Sequence, residues 1–322
     1  MNPSLPALPE LPDFEAARAR ITGHVRVTPV IAWDPREVAA RVTLKLEHLQ
    51  IGGSFKVRGA MSCLFAADPA RLARGVVTAS GGNHGIGVAY AAAHVGVKAV
   101  VFLPESAPAA TERRLAAMGV ETLRGGRAWD DAWLAALEYA ERTGALAVHP
   151  FEDPGVIAGQ ASVGLELFDQ VPDLDAVLVA IGGGGLIAGV AAALHARKPG
   201  IRVIGVEPEG AASMTASQRA GRVTPLDEVR TIAGTLAPRS VGPNTLAMVT
   251  REAVQIMLVS DDELRSAMRR LWDDLRILVE PAGAAAVAAL LSGRAPLGDA
   301  RQVAVLVCGA NLDMTLAAQV LG

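Results

Sequence analysis

From Ala176 to Leu194 the chain carries no polar side chain, and Gly182-Gly183-Gly184-Gly185 stands at the centre of that run. The length approaches the roughly 20 apolar residues of a membrane-spanning helix. The glycines argue against one, because each costs a helix about 1 kcal/mol relative to alanine. The run therefore reads as a buried strand over 176–181, a glycine turn and a helix over 186–197. A strand apolar on both faces belongs inside a covered sheet, so this unit narrows the choice of fold sharply.

The same rhythm recurs on both sides of it. Strands are expected over Gly75–Ala79, Ala99–Leu103, Glu121–Leu123 and Leu146–His149. Helices over Asn83–His94, Ala109–Met118 and Trp129–Thr143 fall between them. After residue 155 come a helix over 156–169, the glycine unit and a strand over Arg202–Val206. A helix over Ser260–Leu275 opens with the capping box Ser260/Glu263, and an Ala-rich helix covers Gly283–Leu291. A strand over Val303–Val307 and a short helix finish the chain. Further upstream, Phe14–Gly23 and 54–66 have helical periodicity, the latter with Ser54 as N-cap, and Val42–Leu46 is a strand. Alternating strands and helices predict an α/β fold: two three-layer α/β/α domains with mostly parallel sheets and a crevice between them.

Composition agrees with this. The 322 residues suffice for two domains at roughly 100–200 residues each. A net charge of −3, with no Lys/Arg block, argues against a nucleic-acid or anionic-membrane partner. Cys63 and Cys308 lie far apart, which excludes a disulfide scaffold and fits a reducing, cytoplasmic setting. The Pro-rich Met1–Pro12 stretch is expected to fray, and it lacks the basic-then-apolar pattern of a signal peptide.

Only four of the 30 Lys and Arg residues are lysines. Lys45 sits in the alternation Val42-Thr43-Leu44-Lys45 and is expected on the wet face of its strand. Lys98 and Lys198 flank helix ends. Lys56, in Gly52-Gly53-Ser54-Phe55-Lys56-Val57-Arg58-Gly59, has no such ordinary role. A helix N-terminus disfavours an ammonium, burial lowers its pKa further, and an uncharged amine can form a Schiff base. A solvated helix-start lysine is the plain alternative. The turn Ser80-Gly81-Gly82-Asn83-His84-Gly85 would offer backbone N–H groups to a phosphate or carboxylate, or would simply join a strand to a helix. His84 is a candidate base or a packing residue. Gly183, Gly185 and Ala188 also fit G-x-G-x-x-A, with Glu207 near the place of a ribose-binding acid, so a nicotinamide-dependent dehydrogenase competes on local pattern.

Taken in chain order, the motifs carry more than any one alone. Ser54-Phe55-Lys56-Val57-Arg58-Gly59-Ala60, Ser80–Gly85 and His149-Pro150-Phe151-Glu152-Asp153-Pro154 come first. Ala158-Gly159-Gln160, the tetraglycine run, Gly205-Val206-Glu207-Pro208, Glu280-Pro281-Ala282-Gly283 and Cys308-Gly309-Ala310-Asn311 follow. This succession resembles the serine/threonine dehydratase family, pyridoxal-phosphate enzymes of fold type II among which serine racemase also belongs. The resemblance runs from about residue 14 to the C-terminus.

It implies a tryptophan-synthase-beta-like architecture, with a large cofactor domain over 1–67 and 153–322 and a small domain over 68–152. It implies that Lys56 holds pyridoxal 5′-phosphate covalently and acts as the catalytic base, with Phe55 packed beside the cofactor. Gly182, Gly183, Gly184, Gly185 and Leu186 would bind the phosphate, Asn83 the 3′-oxygen, and Cys308 would face the pyridine nitrogen. Ser80, Asn83 and His84 would hold the carboxylate of the substrate amino acid. The implied reaction is dehydration and deamination of L-threonine or L-serine to 2-oxobutanoate or pyruvate plus ammonia; another 3-hydroxy amino acid and serine racemisation are the alternatives. Gly81 stands where a racemase has a second serine base. Phe151 matches the dehydratases. Ser213 replaces an aspartate of metal-binding members, leaving Glu207 a weak candidate ligand and no metal expected. A homodimer is implied by analogy. So is freedom from isoleucine feedback, since no regulatory module follows.

Overall fold

A computed structural model describes residues 8–105, 107 and 109–322. Its strands form two sheets. The larger contains β1 (Val30–Trp33), β2 (Arg41–Lys45), β7 (Ala176–Ala180), β8 (Arg202–Pro208), β9 (Gln255–Val259) and β10 (Gln302–Leu306), in the order β1-β2-β10-β7-β8-β9. Only the β1–β2 pair is antiparallel. The smaller contains β3 (Val76–Ala79), β4 (Ala99–Leu103), β5 (Glu121–Arg124) and β6 (Leu146–Ala147), all parallel, in the order β5-β4-β3-β6.

Helices fill the connections. They are α1 (Leu11–Ile21), α2 (Lys56–Ala66), α3 (Pro69–Leu72), α4 (Asn83–Val95), α5 (Ala109–Ala117), α6 (Trp129–Thr143) and α7 (Pro154–Gln170). Then come α8 (Gly185–Arg197), α9 (Ser213–Ala220), α10 (Pro243–Arg251), α11 (Asp261–Leu275), α12 (Pro281–Leu291) and α13 (Met314–Leu321). The expected α/β architecture is present. Strands β3, β4, β7 and β10 are buried throughout, as parallel strands covered on both faces must be. The expected frayed N-terminus lies outside the described residues up to residue 7, while α1 already begins at Leu11. Among the described residues, no helix is long and apolar enough to cross a membrane.

Two expectations fail. Lys45 does not face water; it is fully buried. Its ammonium donates to the Thr28 carbonyl at 2.8 Å, Glu166 Oε2 at 2.8 Å and Gln170 Oε1 at 2.9 Å. Strand β2 lies between β1 and β10, and α7 supplies Glu166 and Gln170 to the face that the alternation reserved for solvent. Nor does Ser54 cap α2. It is extended (φ −164°, ψ 162°) and pairs with Gly309 across an antiparallel bridge, while Phe55 precedes the first helical residue, Lys56, without capping it. Glu263, by contrast, closes the anticipated capping box with Ser260 at 2.8 and 3.2 Å.

Helices α2, α7 and α8 come into backbone contact at two glycines. A methyl group on Gly159 of α7 would lie 2.6 Å from both the Arg58 carbonyl oxygen and the Gly59 Cα of α2. One on Gly189 of α8 would lie 2.6 Å from the Ile157 carbonyl oxygen of α7. Only glycine allows backbones this close.

Candidate active site

Parallel strands send their carboxyl ends to one edge, and ligands of open α/β sheets bind there. In the larger sheet β2, β10 and β7 are neighbours. Beyond β2 the chain reaches Ser54, Phe55 and Lys56. Beyond β10 comes Cys308, whose carbonyl accepts from the Phe55 N–H at 3.3 Å. Beyond β7 comes the tetraglycine turn. In the smaller sheet β3 and β6 are neighbours. β3 delivers Ser80–His84, and β6 delivers Val148–Phe151. The two edges meet: Lys56 Nζ donates to the Pro150 carbonyl at 2.8 Å, and the Phe151 ring lies against Gly183.

The tetraglycine turn offers nothing but backbone. A side chain on Gly182 would lie 3.1 Å from Leu236 Cα, and one on Gly183 would strike the Phe151 ring. One on Gly184 would lie 2.6 Å from Met214 Cε, and one on Gly185 2.8 Å from the Phe151 carbonyl. Gly184 has φ +92° and precedes the first turn of α8, whose N–H groups have no partner within the helix. Such a cradle of free N–H groups could hold a phosphate. The Ser80 turn is similar: the Gly82 N–H donates to Ser80 Oγ at 3.2 Å, and α4 begins at Asn83 with no side-chain cap.

Burial lowers the Lys56 ammonium to about 8, against the opposing pull of Cys308 and Glu280. Burial pushes the Cys308 thiol up, so it is neutral; its Sγ meets the Ala282 carbonyl at 3.3 Å. His84 is buried, and burial followed by the Lys56 charge holds its imidazole well below the ordinary value. Its Nε2 lies 3.2 Å from the Val148 carbonyl, which can only accept, so the one ring hydrogen of a neutral His84 is used there. Its Nδ1 is buried without a partner. The ring therefore has no N–H left to donate to an anion. Phe55 stacks loosely on Lys56, with Nζ 5.3 Å from the ring centre.

Sequence reasoning missed Glu280 as a site residue. Its Oε1 accepts from Asn83 Nδ2 at 2.6 Å and its Oε2 from Thr235 Oγ1 at 3.0 Å. Burial raises its carboxyl to about 7 against those hydrogen bonds. The available signal was an acid preceding proline at the start of a wholly apolar helix. Asn311, part of a quoted motif but given no role, donates to Asn83 Oδ1 and to the Gly52 carbonyl. Asn83 is thereby oriented on both sides and keeps one amide hydrogen free.

Glu207 stands apart. It is buried, and its Oε1 accepts from the Met214 N–H at 2.7 Å. Its Oε2 accepts from the Thr215 N–H at 2.9 Å and Thr215 Oγ1 at 2.6 Å. Both oxygens clamp the start of α9, and three of the carboxylate's acceptor positions are spent there. Among the described residues no group of His, Cys, Asp and Glu is arranged to hold a metal.

An amine near neutrality, a side-chain-free cradle, a half-free amide and a neutral thiol together fit pyridoxal phosphate, which needs an imine-forming lysine and a phosphate site. Comparison with known proteins agrees. The family model described as pyridoxal-phosphate dependent enzyme matches residues 21–309. Phenylserine dehydratase of Ralstonia pickettii is 41% identical over 321 residues, covering 98% of this chain and 97% of that protein. L-threonine ammonia-lyase of Geobacter sulfurreducens is 40% identical over 303 residues, covering 94% and 75%. The solved structure of maize serine racemase superposes with a TM-score of 0.92 at 33% identity, covering 97% of each chain. The fold and site define a pyridoxal-phosphate enzyme of fold type II. The chain belongs to the pyridoxal-phosphate-dependent enzyme family, in the company of the threonine ammonia-lyases and serine racemases. The dehydrogenase reading is thereby overturned.

Proposed function

We propose that this enzyme removes ammonia from a 3-hydroxy amino acid, L-threonine or L-serine among them, to give the 2-oxo acid. The observation that carries this reading is Lys56, a buried amine whose pKa falls to about 8 where the two strand edges meet. When bound, pyridoxal phosphate supplies the electron sink for the Cα carbanion. Lys56 then has two duties, attachment and removal of the Cα proton as general base. Breaking Cα–H and Cβ–O releases water and leaves an enamine. Its imine tautomer takes up water and loses ammonia, so the net change is hydroxy amino acid to 2-oxo acid plus ammonia.

Gly182–Leu186 would hold the phosphate and the free amide hydrogen of Asn83 the 3′-oxygen. The N–H groups of the Ser80–His84 turn would orient the carboxylate. Cys308, as a neutral thiol, would face the pyridine nitrogen without forcing its protonation, which would moderate the sink and favour elimination. Gly81 offers no second base, which counts against racemisation. We further propose that the segments flanking the smaller sheet, near residues 67 and 153, bound a small substrate domain. A cytoplasmic homodimer is part of the proposal; the free, buried Cys63 and Cys308 suit a reducing compartment.

The test is holoenzyme with L-threonine or L-serine, measuring 2-oxo acid and ammonia in equal amounts. The recovered L-serine should remain L. No 2-oxo acid above that formed by cofactor alone would overturn the reading.

A further inference from the structure

We infer that the side-chain end of the substrate site is built for an aromatic ring, so that the preferred substrates are 3-hydroxy amino acids with an aromatic β-substituent. This rests on the ammonia-lyase reading and narrows it. Four rings form one group. Trp129 and Trp133 are stacked, with planes within 6° and centres 6.2 Å apart. His149 stands edge-on to both, at 5.5 and 4.7 Å. Phe151 meets His149 at 4.6 Å and Trp129 at 5.7 Å.

The group is anchored to each part of the site. Trp129 Nε1 donates to the carbonyl of Ala79, the residue before Ser80, at 2.9 Å. Phe151 closes the Gly183 position. Pro150, between His149 and Phe151, receives the hydrogen bond of Lys56. His149 Nδ1 accepts from the N–H groups of Phe151 and Glu152 at 3.3 and 3.0 Å, which fixes its ring. Burial and the Lys56 charge keep that ring uncharged. The wall beside Lys56 is therefore aromatic and neutral.

Helix α6 docks on its sheet through the fully buried Ala132 and Ala136, with Trp133 partly buried against the same core. Trp129 and Trp133, four positions apart on one face, remain only half-buried, as does His149. A methyl or a hydrogen on the substrate Cβ has little area to set against such a surface, whereas a phenyl ring covers it and gains edge-to-face contact. Elimination from a phenyl-bearing substrate is balanced as above and gives an arylpyruvate and ammonia.

The experiment compares L-threo-3-phenylserine, L-threonine and L-serine on the holoenzyme. We expect kcat/KM for phenylserine to exceed that for threonine by about tenfold or more. Trp133→Ala and Trp129→Ala should each lower the phenylserine-to-threonine ratio of kcat/KM severalfold. A measurement independent of folding variants uses L-phenylalanine, which has the ring and no leaving hydroxyl. On the wild-type enzyme it should inhibit threonine turnover more strongly than L-alanine and quench tryptophan fluorescence, since two of the four tryptophans are in the wall. Threonine turned over as well as phenylserine, with phenylalanine no better than alanine, would overturn this inference and leave the ammonia-lyase reading standing. No 2-oxo acid from any of the three with cofactor bound would overturn both.

Discussion

Lys56 and Arg58 lie two positions apart at the start of α2, and their surroundings are opposite. Arg58 Nε and Nη2 donate to Glu47, and Nη1 and Nη2 donate to Glu166, all at 2.7–2.8 Å. Lys45 completes the group through Glu166 at 2.8 Å. Two cations and two carboxylates thus cancel inside the protein. Burial opposes the Arg58 charge, but Glu47 and Glu166 outweigh it and hold the guanidinium firmly protonated. Around Lys56, one carbonyl accepts and no carboxylate touches the amine among the described hydrogen bonds. Burial wins there, and the amine falls to about 8. The lesson is that a buried base is reactive when its charge is left uncompensated, and inert when it is matched.

The largest effect should come from removing the uncompensated partner. Lys56→Ala is expected to cut 2-oxo acid formation by at least about 10³-fold, from loss of both attachment and the general base. Its circular dichroism should be unchanged. Retained turnover without an added amine would break the assignment. Arg58→Met should do the reverse and act on stability, because Glu47 and Glu166 would then share Lys45 alone. Stranding a buried charge costs about 3–5 kcal/mol, read as a lower denaturation midpoint of the apoprotein. If Arg58→Met were as stable as wild type, the cancellation described above would not be what holds α2.

A pH series sharpens the contrast. Only the uncharged amine attacks the cofactor aldehyde, so capture of pyridoxal phosphate by the apoprotein should rise about tenfold per pH unit below the Lys56 pKa and flatten above about 8. An ordinary lysine would keep rising toward 10.5. The same depression affects apoprotein stability. Between about 8 and 10.5 the unfolded chain binds the extra proton, so stability gains with rising pH in that window, and Lys56→Met removes the gain. A capture rate still climbing at pH 9.5 would contradict the burial of the amine.

The smallest effect should come from chelation. Glu207 spends its carboxylate on α9, so treatment with a chelator should leave activity and melting temperature within experimental scatter. A loss restored by magnesium or calcium would show that a cation competes for that clamp.

The sequence-level reading succeeds where the information is local. Apolar strands, glycine turns and the Ser260 capping box are written in a few adjacent residues, and Lys56 stands out because lysine is scarce. It fails where the partner is distant. Lys45 reads as solvent-facing because Glu166 and Gln170, more than 100 positions on, are invisible to an alternation pattern. Glu280 passes for a helix start because Asn83, delivered by the smaller sheet, and Thr235, 45 positions upstream, reach it only in the folded chain. Ser54 looks like a cap because its neighbours are cap-like, but its bridge to Gly309 claims the extended conformation first. The arrangement of the tryptophan pair around His149 and Phe151 is likewise set by tertiary contact between α6 and the end of β6.

The close approach of α2, α7 and α8 has a mechanical consequence. α2 starts at the amine and α8 starts at the glycine cradle, with α7 between them. Backbones in direct contact at Gly159 and Gly189, with the paired Arg58 and Glu166 side chains locked between α2 and α7, leave little to compress, so the three helices act as a stiff spacer. The span from amine to cradle is then insensitive to strain elsewhere. Amide exchange should accordingly be slowest along α2, α7 and α8 and faster in α5 and β5; uniform exchange would mean that the spacer is no stiffer than the rest of the molecule.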